Sequence, residues 1–185
     1  MHAFCHALPG TWHQMGVLLS AAASLAWWAG VTGRSEAELL DELGADPAPS
    51  SCWFGPYLNG ERTPHNDAEV RGGFGGLAGG TTRADMTLAV LEGVAYAMRD
   101  AQQALASAGT TLREADIIGG GARSPLWCQI MADVLGITLH QVAESEIGCA
   151  LGAARLARLA AGEPLSALRK PARLRSYVPR AARSA

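Results

Sequence analysis

Ile117-Ile118-Gly119-Gly120-Gly121-Ala122-Arg123-Ser124-Pro125 is the stretch on which the fold turns. Two β-branched residues end a buried strand, and three glycines then reverse the chain. Ser124 is placed to cap a new helix, with Pro125 at its first position. Glycines leave no Cβ in the way of a ligand. The following helix aims its free N–H groups and positive dipole end at the same spot. A nucleotide suits such a cradle. Turn glycines also occur for steric reasons alone, so a tight strand-to-helix turn without a ligand fits the same residues. The stretch is not a phosphate-binding Walker loop, because no Gly-Lys-Ser/Thr follows. Nor is it the dinucleotide G-x-G-x-x-G pattern, whose last position is Ser124 here.

Working outward, the helix runs over 125–135 and stops at Gly136, and 137–142 reads as the next strand. Gly148-Cys149-Ala150-Leu151-Gly152-Ala153-Ala154 opens a helix over 148–161 with almost no side-chain bulk, suited to lie close to a backbone or a flat ring, or simply to pack on a sheet. Upstream, Thr82-x-x-Asp85 is a capping-box start, and Leu88, Leu91, Val94, Met98 and Leu105 keep helical spacing over 86–108. Earlier still come a short strand over 53–58, a glycine-rich connection over 59–80, a helix capped by Ser35, and an apolar helix over 16–31. Two short alternating runs around Pro9-Gly10 read as a hairpin. A domain rarely opens in mid-hairpin, so Met1 reads as lying inside a longer ancestral chain. Strands alternating with helices predict an α/β layer with parallel strands. The chain divides into a domain over 1–162 and a basic, irregular, partly disordered tail over 163–185.

The 185 residues are 49% hydrophobic and 17% charged with net charge −2, which fits a globular protein and gives no basic field for nucleic acid. The apolar 16–31 run is too short and too rich in Ala and Ser for a membrane span. Cys5, Cys52, Cys128 and Cys149 lie far apart and lack zinc spacing. They read as buried small hydrophobes in a reducing cytoplasm.

Four blocks together resemble the FGGY carbohydrate kinases, in their xylulokinase branch. They are the loop from Phe54 to His65 with Glu61-Arg62-Thr63-Pro64 inside it, Gly73-Phe74-Gly75-Gly76-Leu77 with Asp85 and the 89–96 helix, the turn from Gly119 to Ser124, and the small-residue helix from Gly148. The resemblance implies the C-terminal half of a two-domain sugar kinase. Its fold would be the ribonuclease-H-like domain of the actin/hexokinase-like ATPases, with ATP and Mg²⁺ bound between the halves. The implied reaction moves the γ-phosphoryl of ATP to the 5-hydroxyl of D-xylulose, and an aspartate acts as base. Carried onto this chain, Gly120, Gly121, Ala122 and Ser124 meet the nucleotide, and so do Ala22, Ala23 and Ala26, whose small size also suits plain helix packing. Glu61, Arg62 and Thr63 belong to the active-site loop. Base, phosphate loop and sugar site match nothing here, so no catalytic or metal residue is assigned and the chain is expected to be inactive alone. The expected partners are ATP or ADP, the sugar only with the N-terminal domain, and a complementing half or a second copy of the chain. A non-catalytic interaction module that kept the fold is the second reading, and a kinase of the family for another sugar is the third.

Other residues carry milder expectations. Glu92 in an apolar helix is read as a carboxylate satisfied by backbone N–H groups. Glu61 and Arg62 pair with each other or help to close the loop. His65, Asn66 and Asp67 are turn formers rather than metal ligands. Trp27, Trp28, Trp53 and Trp127 are expected in the core or between domains.

Overall fold

A computed structural model describes residues 2–180. Helix α3 (Arg83–Ser107) is its centre. Thr82 caps it: the Asp85 N–H donates to Thr82 Oγ1 at 3.2 Å, and the Thr82 N–H donates to Asp85 Oδ2 at 2.8 Å. From Thr87 to Ala95 every residue is buried, so this part of α3 is enclosed all round. It packs against α1 (Ala23–Thr32), α4 (Pro125–Leu135) and strand β3 (Trp53–Gly55). At Gly93 a Cβ would stand 2.1 Å from the Phe54 carbonyl oxygen, so only glycine allows this contact. Both buried indoles are satisfied. Trp28 Nε1 donates to Thr87 Oγ1 at 2.9 Å, and Trp127 Nε1 donates to the Leu91 carbonyl at 3.1 Å.

Beside α4 lies a three-stranded sheet ordered β5 (Glu114–Ile117), β6 (Thr138–Val142), β7 (Arg173–Tyr177). β5 and β6 are parallel and joined through α4, while β7 runs antiparallel on the far side of β6. The expected α4 is found with its expected cap: Ser124 Oγ accepts from the Trp127 N–H at 3.2 Å, Pro125 opens the helix, and Gly136 closes it. β1 (His2–Cys5) and β2 (Trp12–Met15) form the expected hairpin. Helix α2 (Glu36–Asp41) starts in a complete capping box between Ser35 and Glu38. Helix α5 (Gly148–Ala160) follows β6 and has no buried residue.

Several expectations need correction. The stretch from Arg169 is not irregular throughout. It supplies β7, whose Tyr177 is buried opposite Leu139, because pairing with β6 satisfies a backbone that its own composition would not commit. Residues 181–185 of the expected tail lie outside the described residues. Helix α1 begins at Ala23, not at 16, because long-range acceptors take the backbone N–H groups before it. Val17 donates to Thr63 Oγ1 at 3.0 Å and Leu19 to Glu61 Oε1 at 3.1 Å. β3 ends at Gly55, since Pro56 has no N–H for the ladder, and the 59–80 connection contains its antiparallel partner β4 (Gly73–Gly75). Cys52 and Cys128 are buried as expected, but Cys5 and Cys149 are exposed. As one half of the expectation had it, Trp28 and Trp127 are in the core; Trp53 is 64% exposed and Trp27 39%, which is compatible with the between-domains half. Among the described residues, no helix is long and apolar enough to cross a membrane.

Candidate functional site

The glycine turn stands where β5 ends. Gly119 has φ +92, a conformation that an L side chain rarely adopts, and its N–H donates to the Ser145 carbonyl at 2.8 Å. Gly120–Arg123 then forms one short 3-10 turn leading into Ser124. Ala122 is fully buried, and its carbonyl accepts from Gln141 Nε2 at 2.9 Å, so β6 fixes the turn from below. Around a Cβ placed on Gly120 there is open space, with nothing within 4 Å.

That space belongs to a cavity of about 1100 Å³. One part of its wall is Gly120, Gly121 and Ser124; another is Ala22, Ala23 and Ala26 at the start of α1. The two groups of small residues expected from sequence therefore meet in one cavity. Of the seven, Ala122 alone does not line it; it is buried beneath the turn. The size suits a nucleotide-scale ligand.

Two further walls had no sequence assignment. From α2 come Glu36, Leu40 and Asp41, and from the C-terminal segment come Arg175, Tyr177 and Arg180. Arg180 is locked in place: its Nε and Nη2 donate to Asp133 Oδ2 at 3.1 and 2.8 Å, and its Nη1 donates to Asp46 Oδ1 at 2.9 Å. These bonds satisfy the fully buried Asp133 carboxylate, which also accepts from the Arg180 backbone N–H and from Gln129 Nε2. The guanidinium of Arg175 lies over the Tyr177 ring, 5.2 Å from its centroid. No strand period marks this wall: Arg173-Leu174-Arg175-Ser176-Tyr177 breaks polar–apolar alternation at Ser176.

The loop residues are elsewhere. Glu61 and Thr63 are buried and hold the chain ahead of α1, and neither they nor Arg62 line the cavity. Glu61 does not bond the Arg62 guanidinium; its Oε1 accepts the Arg62 backbone N–H at 2.7 Å. Glu92, 7% exposed, accepts from the Ser50 N–H at 3.2 Å, which agrees with the satisfied-carboxylate reading. His65 meets the Tyr57 hydroxyl at 3.1 Å, and Asp67 Oδ1 accepts from the Glu69 and Val70 N–H groups, as turn chemistry would have it. Among the described residues, no three His, Cys, Asp or Glu side chains gather into a metal-binding group. On the back of the sheet, His140 lies between Ser176 Oγ at 2.8 Å and Glu114 Oε2 at 3.1 Å. Hydrogen bonds from Arg173 first, and from His140 second, hold the Glu114 carboxyl down at about 2.

The family model for the C-terminal domain of the FGGY family of carbohydrate kinases matches residues 2–161. The chain belongs to this family. It is 45% identical over 163 residues to a xylulose kinase of Escherichia coli (strain K12), covering 87% of this chain and 34% of that protein. It is 36% identical over 152 residues to a glycerol kinase of Citrifermentans bemidjiense, covering 80% of this chain and 30% of that protein. Among solved structures, a xyloylose kinase from Brucella ovis superposes with a TM-score of 0.90 at 46% identity, covering 98% of this chain and 38% of that one. A xylulose kinase from Rhodospirillum rubrum superposes with a TM-score of 0.81 at 28% identity, covering 99% and 38%. The fold is thus the FGGY, actin/hexokinase-like ATPase fold, and among FGGY kinases the chain is xylulokinase-like. It spans about a third of the length of the curated relatives it matches.

Proposed function

We propose that this chain is the ATP-binding part of a sugar kinase, one that transfers the γ-phosphoryl of ATP to D-xylulose to give xylulose 5-phosphate. One observation carries the reading: the Gly120–Gly121 turn and the Ala22–Ala26 start of α1 line a single cavity of nucleotide size. Small residues on both sides leave room for a flat base and a ribose, and the turn's backbone is fixed before any ligand arrives. The sugar assignment rests on the xylulose kinases among its relatives.

The chemistry divides between this chain and the rest of such a kinase. Phosphoryl transfer needs a base for the sugar hydroxyl and a clamp for the phosphates. Three acids of this chain have structural tasks: Asp85 caps α3, Asp67 closes a turn, and Asp133 holds Arg180. In this reading an N-terminal half of the kinase supplies the base, and the chain alone does not phosphorylate sugar. Mg²⁺ would arrive with the nucleotide's phosphates, which usually supply part of its coordination. Four free thiols suit a reducing cytoplasm.

Gly120→Val tests the cavity. Nothing lies within 4 Å of the added Cβ and the glycine's φ is not positive, so the fold should keep its melting temperature while the cavity fills. Titration of the purified chain with ADP should show weak binding that this variant abolishes. Equal binding by both proteins would refute the assignment. In parallel, ATP-dependent turnover of D-xylulose by the chain alone would refute the division of labour.

A further inference from the structure

Three arginines reach the cavity, and two of them are already committed. Arg123 Nε donates to Glu146 at 2.5 Å, and Arg180 is held by Asp133 and Asp46. Among the described residues the Arg175 side chain makes no hydrogen bond and no ion pair; its guanidinium lies over the Tyr177 ring. Its place is nonetheless fixed. Arg175 pairs with Gln141 across β6–β7, and Gln141 supports Ala122 of the glycine turn. The uncommitted cation thus stands one strand-pair from the turn on a wall of the cavity.

We infer that Arg175 is a base-recognition residue, which presents the planar fork of its guanidinium to the ring of a bound purine nucleotide. The inference rests on the proposed nucleotide reading of this cavity. Its chemistry follows from what else lines the space. Glu36 and Asp41 of α2 bring negative charge into the same cavity, which opposes a phosphate there. An adenosine group complements both walls. Its amine and ribose hydroxyls donate to carboxylates, and its ring nitrogens accept from a guanidinium, which carries donors only. Arginine also stacks by its plane, a property lysine lacks, and Tyr177 keeps that plane oriented.

The test compares ADP with adenosine, titrated into the full chain and followed by protein NMR. Arg175→Gln should weaken both ligands alike, by about ten-fold, the size of one charge-assisted hydrogen bond. Arg175→Lys keeps the charge without the fork and should not restore either. Both variants should melt close to the parent, because the Arg175 side chain makes no hydrogen bond or ion pair and only rests on the Tyr177 ring. Unchanged affinities, a loss confined to ADP, or full affinity in Arg175→Lys would each overturn the inference, the second by placing Arg175 at the phosphates. Failure of the unsubstituted chain to bind either ligand would instead bring down the nucleotide reading, and this inference with it.

Discussion

Helices α3 and α5 belong to one chain and bury very different amounts. From Thr87 to Ala95, α3 is closed in on every side by α1, β3 and α4. None of the thirteen residues of α5 is buried; its arginines make local ties, Arg158 to Glu163 and Arg155 to the Arg169 carbonyl. α5 meets the sheet end through Gly148, where a Cβ would come within 2.8 Å of the Ile118 side chain. The cavity is lined from α1, α2, the glycine turn, the start of α4 and the C-terminal segment, and α5 contributes no residue to it. Lining the cavity and forming the core are therefore tasks in which α5 takes no part.

The sharpest way to break that contrast is a matched truncation. Leu91 on α3 is fully buried, and Leu91→Ala should cost about 2–5 kcal/mol in urea unfolding. Leu156 on α5 is 43% exposed, and Leu156→Ala should stay within about 0.5 kcal/mol. Comparable losses at the two sites would mean that α5 is a working part of the core.

A smaller effect lies where the C-terminal segment joins that core. Arg180→Ala removes two of the four hydrogen bonds to the Asp133 carboxylate, leaving those from its own backbone N–H and from Gln129. A buried carboxylate that loses half its partners should cost about 1–3 kcal/mol. Stability unchanged in urea melts would show that the segment is attached by β7 pairing alone, and would move it to the α5 side of the comparison.

How much could be read in advance follows the same line. α4 and the glycine turn were legible because Ser124, Pro125 and Gly136 act on their immediate neighbours. α3 was legible because its capping box and apolar spacing are local too. The start of α1 was not, because the groups that take its preceding N–H bonds, Thr63 and Glu61, are distant in sequence. β7 was not, for a related reason. The register shift between Gln141 and Val142 pairs Arg173 and Arg175 with consecutive residues of β6, so strand alternation is blurred where it would be sought. The cavity was half legible: its small-residue walls were found, α2 was found but not its place in the cavity, and the β7 wall was hidden with its strand.

The smallest expected effect belongs to the back of that overlooked strand. Glu114 accepts from Arg173 at 2.6 Å and from His140 at 3.1 Å, and its carboxyl lies at about 2 against an ordinary 4.5. The folded value is the lower one, so this contribution is complete above about 4.5 and fades as pH falls towards 2. The site is open to water and screened, which keeps the contribution modest. Glu114→Gln should flatten the dependence of urea midpoints on pH across that window and leave their order near neutrality almost unchanged. An identical slope in both proteins would place the acid sensitivity elsewhere, and β7 would then owe its position to backbone pairing and Tyr177 burial rather than to the charges behind it.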